Sequence, residues 1–284
     1  MTQPPRTSPE KTARASVTDA ERPAHVLGVR VDAVDLPRTV DRVRSWIERH
    51  EQAYVCFATA HGVLACWHDP ALRAIFNRSS MTTPDGMSMV WLLQARGRRG
   101  ARRVYGPDLM LAVCAVSAAA GWRHYFYGGE TGVGEALAAR LTDRFPGLTV
   151  AGMTSPPFRP QTQAEDEETV ERINDAQPDI VWVGLSSAAQ ERWMADHRNR
   201  LSAPVLLGVG AAFDFLSGRK PQAPRWIQRS GLEWLFRLTT EPRRLWRRYA
   251  QYPLFVLLVV AEALGLVRVR PQTEGPDPSH PSSR

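Results

Sequence analysis

Short hydrophobic runs alternate with amphipathic segments along most of the chain. Runs rich in β-branched and aromatic residues predict buried strands at residues 53–58, 122–127, 148–152, 179–185 and 204–209. The segments between them repeat hydrophobic residues every three or four positions, as Val40, Val43 and Ile47 do, which predicts helices. Such alternation is typical of a parallel sheet covered by helices on both faces. The pattern therefore predicts an α/β fold.

The pattern changes after about residue 218. Residues 223–227 and 231–238 predict short helices rich in Trp, Phe and Arg, and residues 252–266 are hydrophobic except for Glu262. A segment of this length with an internal charge is too short to span a bilayer comfortably. It can lie at a membrane surface, or it can pack on the sheet or on another subunit. The hydrophobic pattern favours neither alternative.

The positive charge lies mainly in that last part. The 284 residues carry a formal net charge of +7, and residues 219–250 contain nine Lys or Arg against two Glu. A local basic patch indicates a docking surface. We predict a disordered tail at residues 1–24, an α/β core at 25–218, a basic helical appendage at 219–268 and a disordered tail at 269–284.

The composition is typical of a reduced cytosolic protein. The three cysteines show no spacing of a metal site or a disulfide framework, and the N-terminus shows no hydrophobic signal segment. The Arg/Gly-rich run at residues 96–103 predicts a solvated loop. His61 and His68 lack a third ligand for zinc. We predict no metal and no cofactor, and no segment resembles a nucleic-acid-reading module.

A Pro-Asp-Gly corner at residues 84–86 carries one candidate catalytic carboxylate. It follows a short β-leaning run and precedes an amphipathic helix at residues 87–93. Such a corner can expose Asp85 at the carboxyl edge of a sheet, where open α/β sheets bind ligands. Pro-Asp-Gly is also ordinary turn chemistry. The local sequence therefore leaves two interpretations of Asp85, a turn residue or a general base.

Three further strand-to-helix junctions contain glycine, at residues 128–134, 184–191 and 208–214. A glycine-rich backbone at a helix N-terminus can approach a diphosphate closely. Gln190 could cap a helix or bind a sugar or base, and Asp214 could accept hydrogen bonds from sugar hydroxyls. Each junction alone is typical of a turn. Together, the junctions predict one cleft at the carboxyl edge of the sheet.

Ordered sequence blocks from residue 26 to residue 266 resemble one protein family. These blocks are TPDGMSMVW, RVYGPDLM, FYGG with GVGE, FPGLTVAGMTSPPF, VGLSSAAQERWM, GVGAAFDFLSG, APRWIQRSGLEWLFRL and EPRRLWRRY. They resemble the WecG/TagA/CpsF glycosyltransferases (glycosyltransferase family 26) of bacterial cell-surface polymer synthesis. The resemblance implies a Rossmann-like α/β core without a bound metal. It also implies a UDP-sugar donor and a polyprenyl-diphosphate-linked sugar acceptor.

The resemblance also implies roles for individual residues. Asp85 matches the proposed general base, Gln190 an active-site glutamine, and Arg237, Arg244 and Arg247 the arginines that stabilise the departing UDP. The other predicted substrate-binding residues are Thr59, His61, Gly86, Gly106, Asp108, Gly128, Gly129, Gly184, Gly210 and Asp214.

Two segments depart from the family pattern. Thr59 stands where the family usually has Asn, and residues 186–189 lack the family's Pro and Lys. These departures leave the donor open among N-acetylmannosamine, its uronate and glucose.

The predicted function is a metal-independent, inverting glycosyltransferase at the inner face of the cell membrane. Its predicted partners are a UDP-sugar, a polyprenyl-diphosphate-linked sugar and an anionic membrane surface, but not nucleic acid. The sequence does not decide whether the protein forms a homo-oligomer. The alternative is a non-catalytic nucleotide-sugar-binding relic of the same family at the membrane surface.

Overall fold

The strands form a short antiparallel hairpin and a parallel sheet in the computed structural model, which describes residues 22–269. The hairpin consists of β1 (Ala24–Val26) and β2 (Val29–Val31). The sheet consists of β3 (Ala53–Ala58), β4 (Met81–Pro84), β5 (Arg123–Gly128), β6 (Thr149–Thr154), β7 (Ile180–Gly184) and β8 (Val205–Gly208). The order across the sheet is β4-β3-β8-β7-β5-β6, and every neighbouring pair is parallel. The predicted α/β fold is confirmed.

Helices connect and cover the strands of the sheet. These helices are α1 (Leu36–Glu48), α2 (Ala60–His68), α3 (Pro70–Arg78), α4 (Met87–Ala95), α5 (Gly106–Ala120), α6 (Val133–Arg144), α7 (Gln163–Asp175), α8 (Ala189–His197) and α9 (Ala212–Leu216). The appendage consists of α10 (Arg225–Ser230), α11 (Glu233–Thr240), α12 (Pro242–Tyr249) and α13 (Tyr252–Ala263).

Two hydrophobic cores lie on opposite faces of the sheet. In β7, Ile180 and Trp182 pack into the core under α1, α5, α6 and α9, while Val181 and Val183 pack into the core under α2, α3 and α8. All four side chains are fully buried. A strand covered on both faces needs a continuous hydrophobic run, which is the pattern that β7 has. The helices therefore cover both faces, as predicted.

The parallel arrangement brings the carboxyl ends of the strands to one edge. Thr59 follows β3, Asp85 follows β4, and Gly210 lies just after β8 at that edge. Gly128 and Gly184 end β5 and β7, which are paired in register there. The polar and glycine-rich junctions of the chain thus share one side of the sheet.

The appendage packs across this side of the molecule, and its last helix contacts the hairpin. Helix α13 contacts α2, and Phe255 inserts into the core that also contains the hairpin. Glu262 accepts a hydrogen bond from the backbone N–H of Leu27 at 2.9 Å. No helix among residues 22–269 is both long and hydrophobic enough to cross a bilayer. The domain boundaries stay predictions, and the two predicted disordered tails fall almost wholly outside the described residues.

Candidate functional site

A cavity of about 200 Å³ lies between the carboxyl edge of the sheet and the appendage. The core side of its lining includes Thr59, Asp85, Gly86, Trp91, Arg103 and Tyr105. The appendage side includes Glu233, Trp234, Arg237, Arg248, Tyr249 and Tyr252. Of the predicted site residues, Asp85, Arg237, Thr59 and Gly86 meet here. A more open depression of about 320 Å³ at the start of α6 shares none of these described lining residues.

The backbone of Asp85 is held from two sides. Its N–H donates to the carbonyl of Ala58 at 3.0 Å, which extends the pairing of β3 with β4. Its own carbonyl accepts from Nε of Arg103 at 2.5 Å. The side chain is 20% exposed, and its buried Oδ1 accepts no hydrogen bond from any described residue. A turn aspartate usually bonds to a nearby backbone N–H. Oδ1 lies 3.8 Å from Nη2 of Arg103 and accepts no described hydrogen bond, which favours the interpretation of Asp85 as a reactive group.

The surroundings of Asp85 make its carboxylate more basic than usual. Burial, the largest cause, raises the pKa of Asp85 from 3.8 to about 6. The charge of Glu233 raises this pKa as well, while Arg103, Arg237 and Arg248 lower it. A carboxylate with a pKa near 6 is ionised at neutral pH and accepts a proton more readily than an ordinary aspartate. These are the properties of a general base.

Arg103 and Tyr105 belong to the site and were missed as site residues. The guanidinium of Arg103 lies 4.1 Å from the centre of the Tyr105 ring, and its Nη2 lies 2.5 Å from Oε2 of Glu233. The hydroxyl of Tyr105 is buried without a described partner, and burial raises the pKa of this phenol. Both residues flank Val104 in the RVYGPDLM block, which was the available signal.

Residues 96–103 form a loop, as predicted, but the arginines at its two ends are not freely solvated. Arg103 is largely buried in the cavity, and Arg96 forms an ion pair with Glu262 of α13 at 2.5 Å. Each arginine has a carboxylate partner more than one hundred residues away along the chain. Local composition carries no information about such partners.

The appendage contributes Arg237 and Arg248 to the cavity. The Nε atom of each is buried without a described hydrogen-bond partner. Burial, followed by the nearby charge of Arg237, lowers the pKa of Arg248. Among the described lining residues, three guanidinium groups face two carboxylates, so the cavity is net positive. Such a cavity suits an anionic ligand.

Arg244 and Arg247 lie outside the cavity. Arg244 is 55% exposed and pairs with Glu241 at 2.6 Å, while the exposed Arg247 lies over the ring of Trp246. The family spacing matches Arg247, but the turn of α12 directs the adjacent Arg248 inward beside Leu245 and Tyr249. Arg248 is thus a cavity residue that the spacing did not identify, and the predicted roles of Arg244 and Arg247 stay predictions.

Thr59 and His61 follow β3 at the cavity. The Thr59 hydroxyl accepts from the N–H of Gly62 at 3.0 Å and so caps α2. His61 lies beside the cavity lining, and burial followed by the charge of Arg248 lowers its pKa to about 4. His61 is therefore neutral at pH 7.

Gln190 has a structural task in the described fold. Its Nε2 donates to the carbonyl of Gly208 at 2.7 Å, and its Oε1 accepts from the N–H of Gly210 at 2.8 Å. The same Nε2 also donates to Glu191 at 3.1 Å. These bonds clamp the turn after β8, and the buried amide lies outside the cavity. Its predicted catalytic role stays a prediction.

The predicted glycines of β5 and β7 pack against protein. A Cβ on Gly128 would lie 2.5 Å from the carbonyl oxygen of Gly184, and a Cβ on Gly184 would lie 2.6 Å from the Phe213 ring. Close packing of β5, β7 and α9 thus accounts for these two glycines, while the N–H of Gly129 donates to the Gly184 carbonyl at 3.1 Å. A ligand role for all three stays a prediction.

Gly106, Asp108 and Asp214 also lie outside the cavity. Gly106 begins α5 beside Val209, Asp108 pairs with Arg225 at 3.3 Å, and Asp214 pairs with Lys220 at 2.7 Å. Within residues 22–269, no group of three or more His, Cys, Asp or Glu side chains is placed to hold a metal ion.

Comparison with known proteins identifies the family. The model of the Glycosyl transferase WecG/TagA/CpsF family matches residues 24–268. A relative from Bacillus spizizenii is 27% identical over 216 residues, which is 76% of this chain and 82% of the relative. A relative from Staphylococcus aureus is 26% identical over 234 residues, which is 81% of this chain and 89% of the relative. Both are named N-acetylglucosaminyldiphosphoundecaprenol N-acetyl-beta-D-mannosaminyltransferase. Because the family match spans most of the chain, this protein belongs to the WecG/TagA/CpsF glycosyltransferase family, as the sequence blocks predict.

Proposed function

We propose that this protein transfers a sugar from a UDP donor to a sugar on a polyprenyl diphosphate, with inversion at the anomeric carbon and without a metal. The relatives' names describe transfer of N-acetyl-β-D-mannosamine to a diphosphoundecaprenol-linked sugar. An N-acetylmannosamine-type donor is therefore the first to test, before its uronate and glucose.

One observation carries the proposal. Asp85, Arg237 and Arg248 line the same cavity, and Oδ1 of Asp85 and the Nε atoms of both arginines have no hydrogen bond to a described residue. Inverting transfer needs a base for the acceptor hydroxyl and positive charge for the departing diphosphate. This cavity contains both kinds of group.

The proposed reaction is a direct displacement. The acceptor oxygen forms a bond to the anomeric carbon while the bond from that carbon to the UDP oxygen breaks. Asp85 takes the hydroxyl proton as the acceptor attacks. Arg237 and Arg248 stabilise the charge that develops on the diphosphate, and they do so most strongly in a cavity that excludes bulk water.

The exposed surface of the appendage supports binding at a membrane. Helix α13 buries Phe255 and turns the hydrophobic side chains of Leu254, Leu257, Val260 and Leu264 to solvent. Helix α12 exposes Arg243, Arg244 and Arg247 next to it. Each basic residue near an anionic leaflet contributes about 1 kcal/mol. The proposed occupant of this surface is the cytoplasmic leaflet that holds the lipid-linked acceptor.

A transfer assay with Asp85→Asn tests the proposed base. We expect UDP-N-acetylmannosamine and a diphosphoundecaprenol-linked acceptor to give product without added metal and in the presence of EDTA. Asp85→Asn should lower kcat by about 10²- to 10⁴-fold, the usual contribution of a general base. Asp143→Asn, an exposed change on α6, is the control. Transfer by Asp85→Asn at the wild-type rate would contradict the assignment.

The relic alternative is tested by the same materials. Thr59 stands where the family usually has Asn, and its hydroxyl caps α2. This departure is the observation that favours altered or lost turnover. Binding of UDP without transfer from any of the three donor types would support a relic.

A further inference from the structure

Arg103 lies between two carboxylates that come from different parts of the chain. Its Nη2 is 2.5 Å from Oε2 of Glu233 on α11 and 3.8 Å from Oδ1 of Asp85. The first distance is a charge-assisted hydrogen bond, and the second is too long for a hydrogen bond. Arg103 therefore hydrogen-bonds to the appendage glutamate, while Oδ1 of Asp85 lies within ion-pair distance of Arg103 but accepts no hydrogen bond from a described residue.

Two further contacts hold the Arg103 side chain in this position. Its Nε donates to the backbone carbonyl of Asp85 at 2.5 Å, and its guanidinium stacks over the Tyr105 ring. The side chains of Arg103 and Glu233 are only 16% and 13% exposed. Of the described contacts of Arg103, only the bond to Glu233 occupies the nitrogen that lies nearest to Oδ1, at 3.8 Å.

We propose that Glu233 is a positioning residue that draws the Arg103 guanidinium away from the Asp85 carboxylate when the appendage is docked. This inference rests on the proposed function, because it concerns the basicity of the proposed base. Asp85 and Arg103 belong to the α/β part of the chain, and Glu233 belongs to the appendage. Docking of the appendage thus completes the cavity and also keeps Asp85 free to accept a proton.

The other charges around Asp85 act in known directions. Arg237 on α11 and Arg248 on α12 lower its pKa, as Arg103 does, and Glu233 raises it. Tyr105 and Tyr252 also lie near enough to couple with Asp85, and both phenols stay protonated because burial raises their pKa. His61 faces Arg248 and is neutral at pH 7. Among these neighbours, Glu233 alone adds a negative charge.

Glu233→Gln tests the inference, because it removes the charge while keeping the shape of the side chain. Arg103 should then bond to Asp85, and an arginine partner lowers an aspartate pKa by about 1 unit or more. The acid limb of the kcat/KM profile against pH should move to lower pH by about that amount. The rate above pH 7 should fall by up to about tenfold, because a weaker base accepts the proton less readily.

Glu241→Gln is the matched control. Glu241 also lies in the appendage, but it pairs with Arg244 and Lys220 rather than with Arg103. Its acid limb should stay at the wild-type pH. Glu233→Asp keeps the charge, so its acid limb should stay closer to that of the wild type. A Glu233→Gln enzyme with an unmoved acid limb would overturn the inference, whatever its loss of rate.

A second measurement does not depend on turnover. Titration of ¹³C-labelled aspartate by NMR, with the Asp85 signal assigned by its absence in Asp85→Asn, reports the pKa directly. We expect a lower pKa in Glu233→Gln and no change in Glu241→Gln. If the wild type transfers no sugar, the proposed function fails while this titration still decides the role of Glu233. Equal pKa values in wild type and Glu233→Gln would refute that role.

Discussion

Asp85 and Gln190 differ at the scale of single residues in what their polar atoms already bond. The amide of Gln190 donates and accepts within the turn after β8, so its geometry is explained without a ligand. Oδ1 of Asp85 is buried without a described partner. A buried polar atom without a hydrogen bond costs free energy, and a catalytic role is one explanation for such an atom in a cavity. Asp85 therefore ranks above Gln190 as a catalytic residue.

The raised pKa of Asp85 predicts a stability effect. The folded protein holds this proton more tightly than the unfolded chain does, so stability falls as pH rises from about 4 to about 6. At pH 7.5 the buried charge should cost about 1–3 kcal/mol. Asp85→Asn should therefore raise the free energy of unfolding in urea at pH 7.5, and less so at pH 5. If Asp85→Asn were equally or less stable than the wild type at pH 7.5, the buried charge of Asp85 would not be destabilising.

Two adjacent arginines give a second prediction at this scale. Arg248 lines the cavity, whereas Arg247 faces solvent beside Trp246. Arg248→Ala should lower kcat by about 10²- to 10³-fold, the usual loss for one group that stabilises developing charge. Arg247→Ala should lower kcat far less when transfer is assayed in detergent solution. The reverse order would favour the family spacing over the described orientation of α12.

At the scale of elements, the one acid of α13 serves to dock the helix. Glu262 pairs with Arg96 and accepts the N–H of Leu27, so this helix face points at the hairpin rather than at lipid. The opposite face is hydrophobic and exposed. The sequence leaves packing and membrane contact as equal alternatives for this segment, and the described helix packs on the protein with one face.

Loss of this docking contact predicts a loss of stability. Glu262→Ala removes a partly buried ion pair and leaves the Leu27 N–H without its acceptor. The free energy of unfolding in urea should fall by about 1–3 kcal/mol. Glu168→Ala is the matched control, because it removes an exposed pair with Arg172 that contributes at most about 0.5 kcal/mol. Similar losses for the two variants would show that Glu262 does not hold α13.

At the scale of the whole molecule, the appendage joins two surfaces. One surface closes the cavity over Asp85, and the other exposes arginines and hydrophobic side chains together. The proposed lipid-linked acceptor would reach the cavity from a membrane, so a membrane-facing appendage would place the bilayer next to the proposed base. In this proposed arrangement, the exposed arginines among residues 219–250 would face the anionic leaflet.

Vesicle binding tests that arrangement. The wild type should sediment with anionic vesicles, less with neutral vesicles, and less as salt rises, because exposed charges are screened. The double change Leu257→Glu and Val260→Glu should abolish this binding and leave UDP binding intact. Phe158→Glu is the control, since Phe158 is exposed outside the appendage. Unchanged sedimentation of the double variant would exclude α13 as the membrane contact.

The sequence by itself determined the fold class, the buried face of amphipathic helices such as α1, and the family. Hydrophobic periodicity reports burial directly, since a strand covered on both faces needs a continuous hydrophobic run, as in β7. Ordered sequence blocks placed Asp85 and Arg237 in one predicted site, and the structure brings both to one cavity. These features depend on residues that lie close together in the sequence.

Tertiary structure alone decided which polar groups meet. Arg103 faces Glu233 and Arg96 faces Glu262 across more than one hundred residues, and Arg248 rather than Arg247 turns inward. Whether an arginine is solvated or buried depends on the charge and hydrogen-bonding groups that distant segments bring to it. The sequence therefore identified the proposed base, and only the folded chain showed which cations and which second carboxylate surround it.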